Sequence, residues 1–180
     1  RIYIIYVLLL VFSVIGVFQM KVSGSLIGEM PKSASFFKDI LFYEKEFHGV
    51  MPLEIMIDTH RKKGVMKLSM MKKMDELQKT VAEIPELSPA VSVVNLVKYS
   101  KQAFYNGNPD FYELPNSQEQ AFILSYAKNA TKNTKDNLMK SYVDKTGQYA
   151  RITTFMKDIG TEEMAKVEHK LQSKIDELFP

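Results

Sequence analysis

The 180-residue chain contains no cysteine, which excludes a disulfide framework and any cysteine-based zinc site. That absence does not assign a compartment, because many extracytoplasmic bacterial domains also lack cysteine. Charge of one sign is lacking too. The net charge is +3, from 24 basic and 21 acidic residues spread along the chain, so nothing marks a nucleic-acid surface. Catalytic signatures are missing: there is no G-x-S-x-G, no Walker A motif, no H-E-x-x-H and no Gly-rich dinucleotide turn. His48, His60 and His169 stand far apart with no carboxylate pattern linking them. The acid pairs Glu44/Glu46, Asp75/Glu76 and Glu162/Glu163 read as solvated helix faces. We therefore expect no enzyme, and assign no catalytic, cofactor-binding or metal-ligating residue.

What is present is hydrophobic patterning. With 46% apolar and 25% charged residues, the composition fits one globular domain plus a short extra element. Ile2–Phe18 (IYIIYVLLLVFSVIGVF) carries no charge. As a helix it would extend roughly 26 Å at 1.5 Å per residue, close to the bilayer core. We read residues 1–20 as a transmembrane helix, with Arg1 marking the cytoplasmic end. The competing reading is a cleaved signal peptide, with Val22-Ser23-Gly24 as a weak cleavage site. Residues 21–50 form a turn-rich exit and a connecting helix. Phe36–Phe47 has a broad apolar face that suits packing on a sheet or, alternatively, the lipid interface, and Ser33 or Ser35 is its candidate cap.

From residue 51 onward the pattern alternates between strand and helix. In Val50–Thr59, Leu53, Ile55 and Ile57 alternate with Glu54, Met56 and Asp58, the period of a half-buried strand, with Pro52 at its start. Met66–Ile84 carries a helical stripe of Met70, Met74, Leu77, Val81 and Ile84, ended by Pro85 and Pro89. Val91–Val97 is β-branched and predicts a second strand, joined to the first by a right-handed crossover. Tyr99–Pro115 gathers aromatics around the turn Asn106-Gly107-Asn108-Pro109. These aromatics either bind an apolar ligand or pin the loop to the domain. Ser117–Asn129 predicts a helix capped by Ser117, and Asn137–Val143 a short helical turn. Gln148–Asp158 predicts a strand with Ile152, Thr154 and Met156 on one side. A helix capped by Thr161 follows, with Met164, Val167, Leu171, Ile175 and Leu178 as its stripe.

This order is α+β: a ferredoxin-like split β-α-β arrangement with inserted helices and its last strand missing, preceded by one transmembrane helix. The missing strand would pair with Leu53–Thr59, whose edge is otherwise open. That gap, the start at Arg rather than Met and the end directly after a helix lead us to expect a truncated domain over residues 51–180, part of a longer protein.

Behind an apolar helix, the runs FYEKEFHGVMPLEIMID, SVVNLVKYSKQAFYNGNP, ELPNSQEQAFILSYAKN and YARITTFMKDIGT resemble the resistance–nodulation–division (RND) transporters, in their MMPL-like, hydrophobe-exporting branch. The resemblance covers nearly the whole chain. It implies one transmembrane helix and the following periplasmic porter loop of a proton-driven exporter, from the second half of such a protein. The chain would sit in a bacterial inner membrane, with residues after about 20 on the periplasmic side. Its partners would be membrane lipid, a hydrophobic or amphiphilic substrate, and the transporter's remaining segments. Proton-relay carboxylates in such proteins lie in middle membrane helices outside this stretch, so the segment would shape the periplasmic substrate path. Phe104, Tyr105, Phe111 and Tyr112 are the candidate substrate-path residues. The alternative reading is a membrane-tethered extracytoplasmic binding or scaffold module.

Overall fold

The computed structural model describes residues 2–19, 24–25, 27–132 and 138–179. The cleavage candidate at Val22-Ser23-Gly24 is covered only at Gly24, and Arg1, Pro180 and Asn137 lie outside the described residues. An apolar helix, α1 (Ile2–Gln19), has no buried residue and is long and apolar enough to cross a membrane. Helix α2 (Ser35–Phe47) follows, then strand β1 (Met51–Asp58) and helix α3 (Leu68–Ala82). Next come α4 (Val93–Phe104), a short 3-10 turn at Pro109–Phe111, α5 (Gln120–Lys132) and α6 (Leu138–Tyr142). Strand β2 (Tyr149–Met156) and helix α7 (Thr161–Leu178) complete the mixed α/β body.

The sheet is a two-stranded antiparallel pair in which Ile55 lies opposite Ile152 and Met51 opposite Met156. Alternation holds as the sequence predicts, since Ile57, Ile152, Thr154 and Met156 are buried while Pro52, Glu54 and Met56 face water. The stripe of α3 packs beneath, with Met71, Met74, Leu77 and Val81 fully buried. Each such burial stabilises the fold by about 1.5–3 kcal/mol. Val167 and Leu171 of α7 join the same core.

The predicted strand Val91–Val97 is a helix instead. Val91 and, before it, Leu87 each make a single antiparallel bridge to β2, and α4 starts at Val93. The reason is local. Ser92 accepts a hydrogen bond from the Val94 amide at 3.0 Å, while the Asn95 side chain accepts one from the Ser92 amide at 2.9 Å. This capping box starts a helix whose buried positions, Val93, Val94, Val97 and Lys101, recur at helical spacing. Pro89 has no amide to give a ladder, which keeps the bridged stretch short. The buried Gln78 ties α3 to this start, donating to the Ala90 carbonyl and the Asn95 side chain, both at 2.7 Å, and accepting from Ser92 Oγ.

Backbone bonding places β2 in the middle. Thr59 donates to Gln148 on the β1 side, whereas Thr153 and Val91 exchange bonds on the other. The bridged stretch therefore runs parallel to β1 beyond β2.

Three local expectations also shift. The N-cap of α2 is Ala34 and that of α7 is Gly160, so Ser35 and Thr161 are first helical residues rather than caps. Asn116, not Ser117, caps the turn into α5, accepting from the amides of Gln118 and Glu119 at 2.9 Å. A further difference concerns α2, for which the sequence favours packing on the sheet and leaves the lipid interface as the alternative. None of its residues is buried, and Phe36, Phe42, Tyr43 and Phe47 are each half exposed or more. An amphipathic run establishes that a face exists, not what covers it. Gly49 joins α2 to β1 with φ of 153°, and a Cβ there would lie 2.6 Å from the Met156 backbone.

Candidate functional site

The four aromatic candidates are set by the end of α4 and its turn. Asn106 and Gly107 adopt left-handed φ values of 58° and 78°, reversing the chain, and Asn108 caps the 3-10 turn through the Asp110 amide. This reversal lays Phe111 on Tyr105 as a stacked pair, with ring centroids 4.2 Å apart. Phe104 meets Tyr105 edge-on at 5.3 Å and also packs against Phe122 and Tyr126 of α5. Tyr112 lies apart from these three. It packs on Tyr99 at 4.7 Å, lies under the Lys98 ammonium and accepts from Asn95 Nδ2. The structure thus brings together Phe104, Tyr105 and Phe111 and separates Tyr112. Their rings contact one another and α5, as the loop-pinning alternative requires.

Beneath this ledge is an ionic node that the sequence reading missed. Lys101 is 3% exposed, and its ammonium donates to Glu119 Oε2 at 2.8 Å and Glu113 Oε1 at 2.9 Å. Tyr105 donates its hydroxyl to Glu119 Oε1 at 2.8 Å, and the Asn116 amide donates to Oε2 at 2.9 Å. The Lys101 hydrogen bond, then the Asn116 amide and Tyr105, hold Glu119 down to about 2 despite partial burial. Burial works against the charge on Lys101, but its bonds to Glu119 and Glu113 outweigh that and raise its pKa. A lysine held charged in this way is a poor nucleophile or base, so the node acts as a fastener between α4, the loop and α5. The signal was a lysine on the apolar stripe of α4, four residues after Val97. Reading that stripe as a strand concealed it.

A second feature lies along β1. Leu53, Ile55 and Ile57 face Met164, Val167, Leu171 and Ile175 of α7 across an open apolar groove of about 610 Å³. The Thr59–Gln148 bond and the register direct the amides of Leu53, Ile55 and Ile57 at β2. The amides and carbonyls of Glu54 and Met56 therefore face away from β2. Pro52, with no amide, falls on that free side. The groove offers apolar surface beside a backbone edge that has no strand partner among the described residues, the chemistry that accepts an added strand.

Among the described residues no group of three His, Cys, Asp or Glu side chains could hold a metal ion. His48 is the left-handed C-cap of α2. His60 lies 3.2 Å from Asp58, whose pKa is lowered chiefly by the His60 amide and the Gln148 side chain. Asp144 is held down to about 2 by the Thr146 hydroxyl and the amides of its own turn. Both carboxylates stabilise turns. Comparison with family models, curated proteins and solved structures returns no match.

Proposed function

We propose that this chain is a segment of an RND-type, proton-driven exporter of hydrophobic or amphiphilic molecules. It supplies one membrane helix and the periplasmic wall of the substrate path. The observation that carries the reading is the free edge of β1 beside the apolar face of α7. A strand following α7 would enter that groove antiparallel to β1 and complete the ferredoxin-like order, with β2 inside and the Leu87–Val91 stretch at the far edge. A charge-free α1 in front of such a domain supports the same reading. In it, Phe104, Tyr105 and Phe111 form the substrate side as a pre-stacked aromatic ledge, and Tyr112, packed on Tyr99, lies apart from that ledge. Energy coupling belongs to other membrane helices, because α1 has no carboxylate or basic side chain.

The packed core favours the second reading, a tethered extracytoplasmic module, since α3, α4, β2 and α7 already share buried contacts. The coding sequence on both sides of this stretch separates the two. An in-frame strand after α7, followed by several apolar helices with a mid-membrane carboxylate, supports the exporter. A stop codon soon after Pro180 overturns it.

A further inference from the structure

The exposed aromatic flank of α2 needs an explanation that neither the sheet nor the substrate path supplies. Phe36, Tyr43 and Phe47, spaced seven and four residues apart, fall on one flank of the helix. They are 50%, 55% and 58% exposed, and Tyr43 stacks on Phe47 at 5.3 Å. The apolar surface continues past Val50 to the outer side of β2 at Phe155 as a shallow groove. A patch of this kind in water marks an interaction surface.

A clamp decides what the surface meets. The Asp158 carboxylate accepts from Ser25 Oγ at 2.7 Å and from the Ile27 amide at 2.6 Å. The Asp158 amide donates to Glu44 Oε1 of α2 at 2.9 Å. Beside it, Gly24 lies so close to Thr161 that a Cβ there would be 2.5 Å from Oγ1. Gly24, Ser25 and Ile27 are therefore tied through Asp158 to the middle of α2 and lie against the start of α7.

Ser25 is six residues after Gln19, the last residue of α1, a reach of at most about 21 Å. A domain of this size is roughly 35 Å across. The tether is shorter than the domain, so the side bearing the clamp and α2 must face the end of α1. If α1 crosses a bilayer, that end lies at the edge of the hydrocarbon core, where the headgroup layer begins. Tyrosine rings favour that layer, and phenylalanine is found on the buried face of amphipathic helices that lie in it.

We infer that α2 lies in the headgroup region of the membrane, with Phe36, Tyr43 and Phe47 seated against lipid, and so fixes the height and orientation of the domain. This rests on reading α1 as a membrane span.

The test uses the full chain, which has no native tryptophan, in phosphatidylcholine vesicles with and without brominated acyl chains. Single variants Phe12→Trp, Phe36→Trp, Phe47→Trp and Tyr149→Trp report α1, the two ends of α2, and the far end of β2. Tyr149 is seven residues along β2 from Met156, about 23 Å away. The inference expects strong quenching at position 12, and quenching at 36 and 47 at least twofold above that at 149. Quenching at 12 with none at 36 and 47 overturns the lipid contact alone. A blue-shifted but unquenched signal at 47 also overturns it, in favour of a protein partner. No quenching at 12 overturns the membrane span and the inference with it.

Discussion

Two aromatic-rich stretches, Phe36–Phe47 and Tyr99–Tyr126, carry similar side chains and differ in what surrounds them. Around α4 and α5 each ring has a partner: Phe111 on Tyr105, Phe104 on Phe122, Tyr112 on Tyr99. A buried lysine and two glutamates fasten the loop underneath. On α2 the ring pairs are Phe42 with Tyr43 and Tyr43 with Phe47, all within the helix, and a hydrogen bond from the Asp158 amide to Glu44 ties the helix to the end of β2. Aromatic density in a sequence therefore measures potential contact area. Whether that area is satisfied within the chain depends on polar fasteners at defined positions.

The largest test of this contrast is Lys101→Ala. It leaves Glu119 with an uncompensated charge, and we expect a loss of about 3 kcal/mol, seen as a lower urea midpoint. Acid should reproduce part of that loss. Glu119 is depressed from its ordinary 4.5 to about 2, so its contribution is fully present above pH 4.5 and is lost as pH falls toward 2. Asp144 titrates in the same window, so the comparison needed is with Glu119→Gln, whose stability should fall less steeply with acid. An unchanged slope would remove the node from the account. Smallest is the direct pair of aromatic deletions. Phe111→Ala should cost about 1.5 kcal/mol by removing a stacked ring, whereas Phe47→Ala should stay within about 0.5 kcal/mol in detergent. Equal losses would mean that α2 is packed after all.

The sequence was legible where one face of an element meets the core. The alternation of Leu53–Asp58 and of Tyr149–Met156, and the stripe of Met74, Leu77 and Val81, survive into the structure as burial. Val91–Val97 was misread because β-branched side chains suit both states, and two polar residues, Ser92 and Asn95, decide between them. The ionic node was illegible for a related reason. Lys101 acquires meaning only once α4 is known to be a helix and the turn at Asn106-Gly107 has carried Glu113 and Glu119 back to it. For α2, periodicity gave the element but could not supply a neighbour. The aromatic quartet was legible as a cluster, but the division that sets Tyr112 apart was not.

The free side of β1 has a consequence for how the strand breathes. Successive amides of β1 look in opposite directions, toward β2 at Leu53, Ile55 and Ile57 and toward open groove at Glu54 and Met56. Deuterium should therefore enter this strand as a two-beat rhythm, fast at 54 and 56 and slow at 53, 55 and 57. Anything that docks along the groove would silence the fast beats first, so the strand carries its own occupancy gauge.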